Sequence, residues 1–395
     1  NIPRNSTNNF TVYLDTGAYN WSVNCTDSAN NFGASNKWQL TVNVSVNYNI
    51  LACRNITLAG TYTLNTSINN SANPLCINIS VSDVEINCID FSKWIDGSDA
   101  ALTYGIKAEG TPSIKLNNIT VKNCNLTDWH AGIYYNFVEN YTITNITSLD
   151  SSSFGIFING SSVNSISNVT AGYTNNTGIF LSSGSNYNVL TNMTVSNNSL
   201  YGIYMLYQSD HNRVSKATFL NNKEGFRSAY SINNTILNAT YTNNTDSDIN
   251  ATDTALDLRD TVLGGYAFTN TTLIIRNTSA AIINFPNITV TNGTNFSADI
   301  VLRNNYAYIN SSNAPGLNKS ANISFYGLTF ANPRILRDSL PCESSSTNLS
   351  LNKTCTKIAY NSSNGTLIFN VTGFSAYSAE DYCGNANCES GESCS

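Results

Sequence analysis

A repeat of 22 to 24 residues in the middle of the chain constrains its fold more than any other feature. A Gly-apolar-aromatic signature recurs as Gly132-Ile133-Tyr134-Tyr135, Gly155-Ile156-Phe157-Ile158, Gly178-Ile179-Phe180-Leu181 and Gly202-Ile203-Tyr204-Met205, with a degenerate copy at Gly225-Phe226-Arg227. Two further columns keep step. One runs Asn145-Ile146, Asn168-Val169, Asn192-Met193, Lys216-Ala217, Asn238-Ala239; the other runs Asn175-Asn176, Asn197-Asn198, Asn221-Asn222, Asn243-Asn244.

This period is too short for a propeller blade, shows no helical periodicity, and lacks the Leu/Asn spacing of leucine-rich repeats. It fits a parallel β-helix, in which each repeat is one coil of about three short strands and coils stack about 4.8 Å apart. Column residues then lie directly over one another. Asn tolerates the left-handed turn conformation and can ladder between coils. Parallel crossovers are nearly always right-handed, so the expected class is all-β, a right-handed parallel β-helix with flanking β-sandwich-like modules.

Composition narrows the function. Of 395 residues only 11% are charged, against about 25% in an ordinary soluble domain. The chain holds 65 asparagines, and 41% of it is hydrophobic, enough to build a core. No stretch approaches the roughly 18 apolar residues of a membrane span. A net charge of -6 and a pI near 4.9 argue against nucleic acid as a partner. Two histidines cannot build a His-rich metal centre. Ten cysteines point to an oxidising compartment. The start at Asn1 and the end at Ser395 in mid-motif lead us to expect a processed chain or one cut from a longer precursor.

Asn-x-Ser/Thr triplets number about 35, more than twice the roughly 15 that chance placement would give. Their acceptors are Asn5, Asn9, Asn20, Asn24, Asn43, Asn55, Asn65, Asn69 and Asn78 towards the N-terminus. The repeats contribute Asn118, Asn125, Asn140, Asn145, Asn159, Asn168, Asn175, Asn192, Asn197, Asn233, Asn238, Asn243 and Asn250. Asn270, Asn277, Asn287, Asn292, Asn295, Asn310, Asn318, Asn322, Asn348, Asn352, Asn361, Asn364 and Asn370 follow. Many triplets have an apolar middle residue, as in Asn168-Val169-Thr170. In a strand, period two would turn Asn and Thr outward together and send the middle residue into the core. The expectation is a heavily N-glycosylated extracellular protein of the cell surface.

From Cys53-Arg54-Asn55-Ile56-Thr57-Leu58 through Gly60-Thr61-Tyr62-Thr63-Leu64 to Cys76-Ile77-Asn78-Ile79 and Val84-Glu85-Ile86-Asn87-Cys88, the chain resembles the opening coils of NosD-like, pectin-lyase-fold repeat proteins of archaeal surface glycoproteins. The resemblance covers roughly residues 51–300 and implies the fold, not an activity. Residues 1–48, with Gly17-Ala18-Tyr19-Asn20-Trp21-Ser22-Val23-Asn24-Cys25 and Leu40-Thr41-Val42, resemble half of an archaeal immunoglobulin-like sandwich. In that family the cysteine matching Cys25 usually pairs with one on an earlier strand. Residues 318–378 resemble the β-rich module that often follows such helices, and the tail from Cys383 resembles a Cys-rich spacer. The expected domains are therefore 1–48, 49–300, 301–378 and 379–395.

Candidate chemistry is sparse. Glu139 and Asp210 fall in one turn about three coils apart, roughly 14 Å. Asp150 and Glu224 precede the glycine column at a similar separation. The run Asp246, Asp248, Asp253, Asp257 and Asp260 is the one place considered for calcium. Asp210-His211 with Arg213 reads as a capping group rather than an acid/base set, and His130 lies in another turn column. No catalytic residue, metal or cofactor is expected beyond N-linked glycans. Cys53 with Cys76, and Cys342 with Cys355, are candidate bridges. Cys88 and Cys124 share an inward column and either bond or stay buried thiols. Cys383 pairs with Cys388 or Cys394, which leaves Cys25 and one tail cysteine unassigned.

Alternation sends Tyr134, Phe157, Phe180 and Tyr204 outward as an apolar strip. It would stabilise the sheet, dock another subunit or carry sugar rings. The expected function is a non-enzymatic structural glycoprotein of a surface filament, sheath or S-layer-like coat. Such a protein would polymerise with its own kind or with other surface subunits by completing the partial sandwich with a neighbour's strand. The alternative is a carbohydrate-binding adhesin or a polysaccharide lyase or hydrolase acting on a β-helix face.

Overall fold

A computed structural model describes residues 12, 17–27, 29–42, 47–89, 92–342 and 355–382. The chain divides into two compact units, 1–48 and 49–395. In the first, Gly17–Trp21 pairs antiparallel with Trp38–Val42, and Asn24–Thr26 pairs with Phe32–Ala34. Trp21 and Trp38 face each other with ring centroids 4.8 Å apart, yet each remains about half exposed. No described side chain of this unit is buried, and Cys25 is an exposed free thiol.

The second unit is dominated by a parallel β-solenoid with three faces. The first face stacks Leu75–Ile79, Tyr104–Glu109, Ala131–Asn136, Phe154–Asn159, Thr177–Ser182, Tyr201–Leu206 and Glu224–Ala229, each parallel to the next. The second and third faces are the two halves of strands such as Thr142–Leu149, Ser165–Gly172, Val189–Ser196 and Arg213–Leu220, which bend midway. The bend is made by the asparagine column: Asn123, Asn145, Asn168, Asn192 and Asn238, with Lys216, all adopt φ between 50° and 60°.

That bend corrects the strand argument for the sequons. Asn and Thr of each triplet do face outward around a buried middle residue, but because Asn turns the corner in the left-handed conformation. The amides ladder from coil to coil, Asn192 Nδ2 donating to Asn168 Oδ1, Asn168 to Asn145 and Asn145 to Asn123, each at 3.1 Å. The middle residues Ile146, Val169, Met193 and Ala217 then start the third face inside the core.

The glycine column has a packing cause. A Cβ on Gly178 would lie 2.5 Å from Val195 Cγ1 and 2.9 Å from the carbonyl oxygen of Gly202, and the neighbouring glycines are equally tight. The column also takes in Gly105, where the next two positions are Ile106 and Lys107. Inward residues stack like over like: Ile106, Ile133, Ile156, Ile179, Ile203, Phe226 and Ile249 are all fully buried.

Two further asparagine columns lie inside the turns. Asn198 donates to Asn222 Oδ1 at 2.8 Å, and Asn222 to Asn244 Oδ1 at 3.2 Å. Asn164 donates to Asn188 at 2.6 Å and Asn188 to Asn212 at 3.0 Å. These buried amides satisfy turn backbone that water cannot reach: Asn188 Nδ2 also bonds the carbonyl oxygen of Ser161.

Disulfides join Cys53 to Cys76, Cys88 to Cys124 and Cys342 to Cys355; Cys383, Cys388 and Cys394 lie outside the described residues. Parallel pairing ends earlier than the expected boundary at 300. Tyr266–Asn277 is the last parallel strand, and Ala281–Gly293 folds back antiparallel on it. The reversal covers the open edge of the last coil. Ala321–Phe325, Thr366–Val371 and Cys355–Asn361 extend this sheet. Ile300–Arg303, Tyr306–Ile309, Ala376–Asp381 and Pro333–Arg337 form a second antiparallel sheet.

The inner ladder makes a stability prediction. Asn188→Ala strands both the Ser161 carbonyl and the Asn164 side-chain N–H, and should lower the unfolding free energy by about 2–4 kcal/mol in denaturant titration. Asn168→Gly, on the exposed ladder and free of strain in the left-handed region, should cost less than about 1 kcal/mol.

Candidate functional site

The outer surface of the first face carries a column running Asn78, Lys107, Tyr134, Phe157, Phe180, Tyr204, Arg227 and Asn250. The four expected strip residues sit at its centre, half-buried against one another. Ring centroids step 5.1, 5.0 and 5.3 Å from Tyr134 through Phe157 and Phe180 to Tyr204. A second outward column, three residues earlier in each strand, adds Tyr104, Phe154 and Tyr201. Their rings lie 4.9 Å from Tyr134, 4.9 Å from Phe157 and 4.8 Å from Tyr204. Sequence reasoning missed these three, although each directly precedes a column glycine.

Each end of the strip is closed by a cation and a carboxylate. Lys107 lies over the Tyr104 and Tyr134 rings and pairs with Glu109 at 2.6 Å. Arg227 lies over Tyr201 and Tyr204 and pairs with Glu224 at 3.1 Å. Burial, with Glu109 nearby, pushes the Tyr134 hydroxyl up to about 12, so it stays a neutral phenol. The result is an aromatic platform along the solenoid axis with polar groups at both ends.

At the turn leading into this face, Asn69, Trp94, Asp96, Thr127, Asp128, Leu149 and Asp150 line an open groove of about 340 Å³. Trp94 is 38% exposed, a flat wall for a ligand. Partial burial pushes the Asp128 carboxyl up, and the nearby carboxylates of Asp99 and Asp96 push it further. Asp99 is likewise raised, by burial and then by Asp150 and Asp96. A carboxyl that holds its proton more tightly than usual suits the part a general acid takes in glycoside cleavage. His130, two residues on from Asp128, meets Tyr104 and Phe154 edge-on at 6.1 Å each, and burial lowers its proton affinity. The groove therefore adjoins the platform through His130. The sequence signal for this cluster was stacking across coils: Asp96 lies one strand over from Thr127, next to Asp128.

The other candidates separate. Asp150 turns a corner at φ 51°, while Glu224 sits on the first face, so the two do not share a column. The five aspartates considered for calcium have separate partners: Asp246 pairs with Lys223, Asp248 with Asn244, Asp253 with Asn270, Asp257 with Arg259 and Arg276, and Asp260 with Thr278. Among the described residues, no group of three His, Cys, Asp or Glu is placed to hold a metal ion. Asp210 Oδ1 accepts the Ile232 amide, while His211 stacks on Tyr187. Glu139 pairs with Lys115.

Of the sequon acceptors, Asn125 is buried at 5% exposure and cannot take a glycan in the folded chain, which corrects its inclusion. Asn5, Asn9, Asn43, Asn348 and Asn352, and the side chain of Asn292, lie outside the described residues. The rest are exposed or half-exposed.

Residues 105–263 match the family model described as right handed beta helix region, and the solenoid of the second unit is a right-handed parallel β-helix. No curated protein sequence matches it significantly. Among solved structures, it is similar to the periplasmic alginate epimerase AlgG at 15% identity and a TM-score of 0.42, covering 55% of this chain and 57% of that one. It is also similar to the Azotobacter vinelandii mannuronan C-5 epimerase AlgE4 A-module (12% identity, 59% of this chain and 83% of that one, TM-score 0.34). A third is the enzymatically active domain of bacteriophage CBA120 tailspike protein 2 (11% identity, 64% and 44%, TM-score 0.38). This chain thus spans under two thirds of the length of the AlgG structure. Such likeness shows the fold alone. Against the expectation of a non-enzyme, those neighbours are themselves epimerases and an enzymatically active domain. No helix among the described residues is long and apolar enough to cross a membrane. Three disulfides mark an oxidising compartment.

The raised Asp128 carboxyl gives a pH-dependent prediction. A carboxyl raised in the folded state binds its proton more tightly there than in the unfolded chain. Stability is therefore lost as pH rises from the ordinary carboxylate range through the raised value. Asp128→Asn should raise the melting temperature at pH 7 and give no gain at pH 3, as read by calorimetry at the two pH values.

Proposed function

We propose that this protein is a secreted, polysaccharide-active β-helix that binds a glycan along its aromatic face. The observation that carries the reading is the ladder Tyr134-Phe157-Phe180-Tyr204, flanked by Tyr104, Phe154 and Tyr201 and closed by Lys107 and Arg227. Aromatic faces stack on the apolar faces of sugar rings, while cations and carboxylates at the ends take their hydroxyl or acidic substituents. The platform repeats at the coil spacing, which suits a ligand that is itself a repeating chain. The Asp96, Asp128 and Asp150 groove, with Asp99 beside it, supplies carboxyl groups for glycosidic cleavage, with Asp128 as proton donor and Trp94 as a sugar-facing wall. The disulfides and the density of exposed sequons support a glycosylated extracellular protein.

The test is native electrophoresis in gels cast with soluble polysaccharides (a β-glucan, a galactomannan, alginate), alongside assay of reducing-end release from the same panel. The expected result is retardation by at least one polysaccharide. Phe157→Ala and Phe180→Ala should each weaken it about threefold to tenfold, the worth of one aromatic contact. Asp128→Asn should keep retardation and abolish release. No retardation and no release across the panel would overturn the proposal.

A further inference from the structure

The turn that leaves the first face holds a second set of aromatic residues, unrelated to the platform in sequence. Tyr207 and Tyr230 directly follow the face strands Tyr201–Leu206 and Glu224–Ala229, and their rings stack at 5.6 Å with planes 14° apart. Across the same turn, Tyr187 and His211 stack at 4.8 Å and 15°. Asn186 directly precedes Tyr187 and Asp210 lies between Tyr207 and His211, the Asn186 amide oxygen accepting from the Asp210 N–H at 2.6 Å.

All four aromatic residues adopt positive φ: 56° at Tyr187, 49° at Tyr207, 57° at His211 and 52° at Tyr230. Elsewhere this solenoid fills most such positions with Asn or Asp, as at Asn145, Asn168, Asn192, Asn197, Asn221 and Asn243, with Ile89, Leu102, Phe137, Val163 and Tyr173 as other bulky exceptions. A bulky side chain in the left-handed region costs more than Asn does. Burial does not offset that cost here, since Tyr187, Tyr207 and Tyr230 are more than half exposed. Pairwise stacking covers one face of each ring, and the Asn233 amide lies 3.2 Å from His211 Nε2. The turn thus carries strain and exposed aromatic surface together, a combination kept where side chains act on something outside the fold.

We infer that Tyr187, Tyr207, His211 and Tyr230 form a second saccharide subsite, continuous with the aromatic face at its exit edge. The inference rests on the glycan-binding reading of that face. The ligand it fits is a sugar segment, because paired, exposed rings flank amide and carboxylate groups suited to hydroxyls. It lies at the edge opposite His130 and the aspartate groove, so a glycan or one of its branches reaching across the face meets the groove at one side and these rings at the other.

The test is the triple variant Tyr187→Asn, Tyr207→Asn, Tyr230→Asn, run in the same polysaccharide gels beside Phe180→Ala and followed by thermal unfolding. Asn relieves the left-handed strain, so the melting temperature should hold or rise. Retardation should weaken, by about threefold to tenfold for each ring that a sugar contacts. Full retardation in the triple variant, with Phe180→Ala weakened, would overturn the subsite and leave the platform standing. A lower melting temperature with unchanged retardation would make the rings structural and overturn it too. A wild-type protein that dimerises in solution, with the triple variant monomeric and equally retarded, would reassign the turn to self-association. Absence of retardation in the wild type would remove the platform and the subsite together.

Discussion

Backbone hydrogen bonding between successive coils governs this molecule. On each face, residues pair in parallel with those about 23 positions away, so most of a side chain's surroundings are supplied by its own column. Residues that tolerate a copy of themselves about 4.8 Å away are favoured: isoleucine inside, asparagine at corners, aromatic rings on a face. Glycine follows from the same rule, since the column at Gly132, Gly155, Gly178 and Gly202 passes each next coil's carbonyl too closely for a Cβ.

This dependence explains what could be read in the sequence and what could not. The period, the inward isoleucines and the outward Tyr134, Phe157, Phe180 and Tyr204 were legible because each is a property of one column. The buried ladder Asn164-Asn188-Asn212-Asn234 was not read, although it keeps the same period, because it falls in turns whose length varies by a residue between coils. The aspartate groove was harder still. It joins Asp96, Asp128 and Asp150, with Asp99 beside them, from coils with unlike turns, and Asp96 precedes the regular repeats. Local alternation also misassigned the sequon corners, where a left-handed Asn and an extended strand expose the same two residues for different reasons.

Stacking alike side chains also builds surfaces of uniform chemistry. Ordinary domains scatter exposed aromatics singly, whereas a solenoid that repeats one places a row of them along its axis. With 11% charged residues, little on this surface keeps such a row from self-association. The chain ends the row with ionic groups, Lys107 with Glu109 and Arg227 with Glu224, laid over its outermost rings. These pairs hold the terminal rings flat and limit the platform to the coils between them.

The exposed sequons and the aromatic face are two responses to the same scarcity of charge. Where the solenoid presents Asn and Thr, glycans would hydrate it; where it presents rings, a bound glycan would. The acceptors Asn145, Asn168, Asn192 and Asn238 lie along the corner between the second and third faces, away from the rings. Asn159 and Asn250 occupy the first face itself, and Asn250 extends the ring column one coil past Arg227. A glycan attached there would compete with a bound one for the end of the platform. Sugar chains held covalently at the corners and non-covalently on the first face would place both kinds at different angles around one rod, and the left-handed asparagine bend keeps those directions apart.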